Sequence, residues 1–504
     1  TVAETTGSLT VGAGNVTTKG GAVSLTSGGG KTLTLTGNVD TTTGGAAGAA
    51  VTHATDILAG AGLTTAGSGD VVLKPVTAGT IGLEDSSLGV GVLNVTNAML
   101  TNISSTGTIT VGDATTTTGI SAKGDNAISQ GTKNLALLAN GSIALSGATP
   151  NDITAKNLTL TAHTVGNTGA ISSAGTMTLN TAGGGNLTLN ADAGVGASGV
   201  GNAVEIGTVA GNLGVTNTTS GDIYLATGAI TLGGGGITQG NAAGTLSVAS
   251  SDSIALAGNV SAGTAGGAGA VILTATNGIT RSAGTVTAGT VTLSGTGIGA
   301  SGVGNAVDTA TSNLNATATG GDIYLTNAGN VAAQAAATGG LVDIQNTGTL
   351  TSSGAISSST GTVTVTATDN MSIGHAVTGP TGVTLRVSGA DKTFTHTAGA
   401  IDGTNAAIAI TADKMALAAG TIGSAAGDSI TLKSETTTNA VSLGDSAANT
   451  GGNATANTLQ LSSAELDTLT GGLTVGSTGT TGAITVAGAL TTTTPTSLTL
   501  INNT

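Results

Sequence analysis

Two stretches decide the fold: Asn157-Leu158-Thr159-Leu160-Thr161-Ala162 and Asn186-Leu187-Thr188-Leu189-Asn190-Ala191. In both, leucine alternates with threonine or asparagine. That is the period-2 pattern of a strand with one face buried and one face wet. The same pattern recurs along the whole chain. Examples are Thr32-Leu-Thr-Leu-Thr-Gly, Ser142-Ile-Ala-Leu-Ser-Gly, Thr290-Val-Thr-Leu-Ser-Gly, Thr362-Val-Thr-Val-Thr-Ala, Ser429-Ile-Thr-Leu-Lys-Ser and Ser497-Leu-Thr-Leu-Ile-Asn. Glycine, asparagine, aspartate and serine fill the gaps, as turns require. Successive runs lie roughly 10 to 25 residues apart.

Composition selects among all-β architectures. The 504 residues include two tyrosines, one phenylalanine and no tryptophan, and only 7% are charged. A string of β-sandwiches would want a large buried aromatic in each domain. A solenoid needs only small and branched apolar groups, because each rung buries its inward face on the next. The 87 glycines suggest low complexity, yet regularly spaced Val, Ile and Leu and a mean hydropathy of +0.33 argue against disorder. The expectation is therefore an all-β parallel β-helix (β-solenoid) over residues 1–504, with roughly 20 residues per rung and a few short helical turns. About 25 such rungs, each rising about 4.8 Å, would make a rod near 120 Å long.

The formal net charge is −14, and the basic residues form no run. Nucleic acid is excluded as a partner, since it demands a basic patch, and anionic membrane surfaces are poor partners too. No disulfide or thiolate site is possible without cysteine. The opening residues Thr1 to Thr10 show no signal peptide. The longest apolar stretch, 406–420, is broken by Asp413 and Lys414, so no membrane insertion is expected. A mature product or an excised segment fits the missing start. The last residues read as one more uncapped strand, so the chain continues or stacks on copies of itself.

Two internal repeats stand out. One spans 196–225 and 299–325: Gly-Ala-Ser-Gly-Val-Gly-Asn-Ala-Val begins at Gly196 and at Gly299, and Gly-Asp-Ile-Tyr-Leu follows at Gly221 and Gly321. At 20 residues per rung this unit would be about five rungs. The other spans 93–112 and 459–476, pairing Leu93, Val95, Ala98, Leu100 and Ile103 with Leu459, Leu461, Ala464, Leu466 and Leu469. Ser462 and Glu465 form a capping box, and Gly471 would close the C-terminus of a short helix decorating a rung.

At these residues a resemblance enters. The Gly-Thr-Ile-Gly turns at Gly79 and Gly420, the Gly-Asp-Ile-Tyr-Leu strands and the Leu461–Leu469 element resemble the repeat regions of filamentous-haemagglutinin-like bacterial surface adhesins of two-partner secretion and their giant β-solenoid relatives. The resemblance implies a right-handed parallel β-helix, export across an outer membrane, and an extracellular place at the bacterial cell surface. Its amino-terminal secretion domain has no counterpart here, which fits a shaft segment. The expected function is a non-enzymatic adhesin or filament shaft that meets glycans or proteins of host or neighbouring cells. The alternative is a self-assembling fibre, sheath or surface-layer subunit, joined end to end.

No catalytic, cofactor or metal site is expected. His53, His163, His375 and His396 have no second ligand at metal-binding spacing and read as exposed strand or turn residues. Glu84 and Asp85 are adjacent, so in a strand they would point opposite ways and could not share the chemistry of a glycan hydrolase. Asp222 and Asp322 read as turn caps. Calcium-binding nonapeptides do not occur in tandem. The Thr-x-Thr runs at Thr32 and Thr362 are too interrupted for an ice-binding face. Tyr224 and Tyr324 read as a structural slot at a rung corner, with a ligand platform as the rival role.

Overall fold

The computed structural model describes residues 1–503 apart from 90, 148–151, 164–165, 167, 200, 303, 418, 425–426 and 445–456. The chain divides into two compact units, Thr1–Gly263 and Thr264–Thr504. Each is a parallel β-solenoid of about 23 residues per turn.

In the first unit the main sheet contains eleven strands, from Val2–Ala3 to Val260–Ala262. Its middle shows why alternation produces the fold. Leu135, Leu158, Leu187 and Leu213 are paired in succession, and so are Leu137, Leu160, Leu189 and Val215. All eight are buried. The strand Leu158–Ala162 is buried at its first, third and fifth positions and half-exposed at the second and fourth. Each rung thus lays its leucines on the leucines of the rung before, and the stacked column is the core. A buried leucine or valine removes about 1.5–3 kcal/mol worth of apolar surface from water.

The second unit repeats this with ten main-sheet strands, from Val286–Ala288 to Pro495–Ile501. Val342, Val363, Val383, Ile408, Ile430 and Leu473 form one inward column, and Ile344, Val365, Leu385, Ile410, Leu432 and Val475 the next. The single phenylalanine, Phe394, is fully buried between the paired residues Met371 and Met415. One ring per many rungs suffices because Val, Ile and Leu fill the remaining layers.

The 93–112 and 459–476 repeats are two oversized turns of the same design. Val71 pairs directly with Ile109, and Ile430 directly with Leu473, so 38 and 43 residues lie within single turns. Ordinary turns already reach 23 to 29 residues, as from Val2 to Leu25 and from Leu158 to Leu187, so the mean exceeds the expected 20 even without these two. In the first copy, Asn94–Val95 pairs with Gly82 and Leu83 on the edge away from the following rung. A helix at Asn97–Thr101, capped by Thr96, then leads to Ile103–Ser105. In the second copy, Thr458–Leu461 pairs with Ala440–Leu443 in the same way. The helix Ser463–Leu466 follows, with the capping box on Ser462 and Glu465 complete. Leu93, Leu100, Ile103 and their counterparts Leu459, Leu466, Leu469 are buried, while Ala98 and Ala464 are exposed. One expectation fails: Asp467, not Gly471, caps the second helix, and Gly471 opens the next strand with φ +128°. The helix is one turn shorter than its apolar spacing suggested, since Leu469 is used in a bridge to Ile422.

Polar side chains tie turn to turn at the corners. The Asn157 Nδ2 group donates to Asn134 Oδ1 at 2.8 Å. Asn157, Asn186 and Asn212 each accept the first amide of the following turn, from Asn186, Asn212 and Gly234 respectively. Other amides and hydroxyls are buried inside the coil. Asn327 Nδ2 donates to Asn346 Oδ1 at 2.9 Å, and Thr309 Oγ1 donates to Asn327 Oδ1 at 2.9 Å. In the first unit, Asn217 Nδ2 donates to Gln239 Oε1 at 2.8 Å. Such ladders satisfy the buried polar groups by stacking like on like, so they hold the register rung by rung.

Candidate functional site

The outward surface is built from the even positions of these strands, so it is a set of polar columns. In the second unit one column runs Tyr324, Asp343, Thr364, Thr384, Ala409, Thr431, Thr474 and Thr499. Among the described residues the exposed large apolar side chains are Val2, Leu63, Val486, Leu498 and Leu500. All but Leu63 lie on or beside the terminal strands. The long outward faces are therefore hydroxyl and amide arrays.

The repeated nonapeptide is where the outward surface departs from a plain sheet. Val195 bridges to Ile223, and Val204 pairs with Leu225, two residues further along the same strand. Residues 196–203 therefore leave the ladder and return to it almost where they left. The second copy is equivalent: Ile298 bridges to Ile323 and Val307 pairs with Leu325. The excursions close alike. Ala197 N donates to Asn202 O at 2.9 Å and Asn202 Nδ2 to Ser198 O at 3.1 Å. Ala300 N donates to Asn305 O at 3.1 Å and Asn305 Nδ2 to Ser301 O at 3.0 Å. The valines at the fifth position of the repeat, Val200 and Val303, lie outside the described residues.

This geometry explains the glycine that opens each copy. Gly196 and Gly299 have φ of +68° and +67°. A Cβ on either would stand 2.5 Å from the carbonyl oxygen of Tyr224 or Tyr324. Gly299→Ala is expected to cost about 1–3 kcal/mol by combining backbone strain with this clash. Amide exchange at Tyr324, whose N–H donates to Ile298 O, should accelerate with it. Gly228→Ala, where a Cβ would meet open space, should have almost no effect. Equal effects at both positions would contradict this account of the loop.

The tyrosines are not at a rung corner. Each is the second residue of a strand, Ile223–Thr227 or Ile323–Asn327, with its ring on the outward side beside the excursion. Tyr324 lies beside the Ser301 side chain. Burial, then the negative charge of Asp322, raises its pKa above the ordinary phenol value. Asp222 and Asp322 do not cap their own turns. Asp222 Oδ1 accepts the Thr245 amide at 2.7 Å and Asp322 Oδ1 the Leu341 amide at 2.9 Å, each one turn further on.

Glu84 and Asp85 are not in a strand, so the opposite-pointing argument does not apply. They follow the strand Gly79–Leu83, Glu84 has φ +48°, and both are buried. Glu84 accepts the Asn97 amide at 2.5 Å, and Asp85 accepts the hydroxyls of Ser121 and Ser87, each at 2.6 Å. Burial raises the Asp85 pKa, but hydrogen bonds from Ser121 and Ser87 outweigh it and hold the carboxyl below its usual range. Both carboxylates are occupied in fixing the oversized turn.

Two of the four histidines are buried, against expectation. His53 stands in an inward column between Leu25 and Leu73, 1% exposed, with Nε2 3.1 Å from the Thr64 hydroxyl. Burial lowers its pKa to about 4. His396 is fully buried between Ile373 and Leu417, and neither ring nitrogen has a well-formed hydrogen bond among the described residues. Burial lowers its pKa too, only partly offset by the nearby backbone of Ala398 and Gly399. His163 and His375 are exposed. His163 Nδ1 lies 2.8 Å from Asp192 Oδ1, which also accepts the Thr218 hydroxyl at 3.0 Å. That pair was invisible at sequence spacing because its members are 29 residues apart. The register Ala162 to Ala191 brings them together.

Among the described residues, no three His, Asp or Glu side chains converge to hold a metal ion. No helix among the described residues is long and apolar enough to cross a membrane. Comparison with protein-family models, with curated proteins and with solved structures finds no match to this chain.

Proposed function

We propose that the chain is a shaft segment of an extracellular bacterial surface protein, a non-enzymatic scaffold that mediates attachment. The observation that supports this reading is the arrangement of each unit. A parallel ladder runs rung to rung through stacked Leu, Val and Ile, and the outward faces are long columns of Thr, Ser and Asn. Hydrogen bonds between successive turns share an axial load among several parallel bonds per turn, which suits a mechanical role. Hydroxyl and amide columns suit glycans or polar protein surfaces of a neighbouring cell better than an apolar partner. The sequence resemblance to filamentous-haemagglutinin-like adhesins points the same way.

The test is retention of chain-coated beads on cell monolayers under flow, beside beads coated with the acid-unfolded chain. The scaffold reading expects retention that depends on the folded chain and survives dilution of the soluble protein to a monodisperse species. Retention no better than with the unfolded chain would overturn it. Filaments that form spontaneously on concentration would instead favour the self-assembling subunit.

A further inference from the structure

We propose that a cleft around Lys433, on the outward face of the second unit, binds a carboxylate-bearing, hydroxylated ligand such as a uronic acid residue. The floor comes from three successive main-sheet strands, Val383–Val387, Ala407–Thr411 and Ser429–Lys433, whose residues Arg386, Thr411 and Lys433 are paired in register. Ala409 sits in the outward column between Thr384 and Thr431, and its small side chain leaves the floor low. Glu435, Thr437 and Ser477 line the rest of the cleft. The cleft is half open to solvent and its volume is about 390 Å³, within the range of small-ligand sites.

The charge pattern identifies the ligand class. The second unit has five basic side chains. Four of them hold carboxylates: Arg281 with Asp308, Arg386 with Glu435, Lys392 with Asp369 and Lys414 with Asp391. Lys433 makes no ion pair among the described residues, in a chain whose net charge is −14. An ammonium with no carboxylate partner among the described residues, at the edge of a cleft, is a ready partner for a ligand carboxylate. Glu435 engages the Nε and one terminal nitrogen of Arg386, which fixes the guanidinium while its side chain stays half-exposed. That leaves donors of Arg386, the hydroxyls of Thr384, Thr411 and Thr437, and the acceptor oxygens of Glu435 facing a bound molecule. A ligand with one carboxylate and several hydroxyl groups matches these partners. No aromatic ring lines the cleft, so binding through polar contacts alone is weak, in the millimolar range.

The site does not depend on the attachment reading, and the bead assay and a solution titration can fail separately. The full chain is titrated with a galacturonate trimer, a neutral glucose trimer and inorganic sulfate, and amide chemical shifts or calorimetry report binding. The galacturonate trimer should saturate a single site, shifting the residues around Lys433. The glucose trimer should bind at least about tenfold more weakly. Lys433→Gln should weaken galacturonate at least about tenfold, and Thr411→Val should weaken it less. Lys392→Gln, which alters an ion pair elsewhere, should leave it unchanged. Unaltered affinity in the folded Lys433→Gln chain, equal affinity for the neutral trimer, or no saturable binding would each overturn the proposal. Equal binding of inorganic sulfate would also overturn it, since the ligand's hydroxyls would then play no part.

Discussion

Phe394→Ala is expected to destabilise its neighbourhood by about 3–5 kcal/mol, the cost of emptying a fully buried aromatic position. The ring is fully buried, with Met371 on the preceding turn and Met415 on the following one. Nothing else in the second unit's core is as large, and flexible methionines can refill only part of the space. A solenoid rung touches chiefly its neighbours, so the damage should stay local. Hydrogen exchange followed by mass spectrometry should show protection lost in Met371–Ile373, Thr393–His396 and Lys414–Leu417. The strands Leu158–Ala162 and Leu187–Ala191 should keep theirs. A uniform loss across both units, or a change below about 1 kcal/mol, would show that the layers are not independently packed.

Acidification should weaken the first unit before its held-down aspartates protonate. His53 is neutral when folded, with a pKa lowered to about 4 by burial, against about 6.5 in the unfolded chain. The unfolded state therefore takes up the proton first. The stability associated with neutral His53 is complete above about pH 6.5 and is lost as pH falls towards 4. At 1.36 kcal/mol per pKa unit, the loss approaches about 3 kcal/mol. His396 acts in the same direction in the second unit, since its pKa is lowered by burial. The held-down carboxylates Asp56, Asp85 and Asp413 lose their contribution only at lower pH. Urea unfolding of the native chain at pH 7 and pH 4.5 measures the difference. His53→Leu should remove most of the slope in the first unit, because leucine continues the column of Leu25 and Leu73. A flat profile in the native chain, or an unchanged slope in the variant, would contradict the assignment.

The strands were legible because the physics that makes them is periodic. Leucine or valine at every second position can bury only one face, and a chain nearly free of aromatic rings has no other way to fill a core than by layering small side chains. The helical decorations were legible for a similar reason, since Ser462 and Glu465 form a capping box by local spacing alone. What resisted reading depends on which residue lies one turn away. Asn157 and Asn186 look like surface asparagines, yet they accept amides from the following turn. Asn327 and Asn346 occupy inward positions, where composition gives no hint of burial. His163 meets Asp192 only through the register of the 29-residue turn between them. Glycine repeats at Gly196 and Gly299 were visible as words, but their meaning is a clash with a tyrosine carbonyl on the next turn. Turn lengths vary from about 20 residues to 43, so no fixed period recovers these pairings.

The layered pairing itself can be measured directly, because the native chain contains no cysteine. Thr159 and Thr188 are in register on the outward face, and so are Thr364 and Thr384. Neighbouring strands lie about 4.8 Å apart. The pairs Thr159→Cys with Thr188→Cys, and Thr364→Cys with Thr384→Cys, should be joined rapidly by a bifunctional thiol reagent of that reach. Thr161→Cys with Thr188→Cys, one side chain out of step on the same face, should react far more slowly. Rapid joining confined to the matched pairs is the result this stacking requires; equal reaction of matched and mismatched pairs, or none in either, would contradict it.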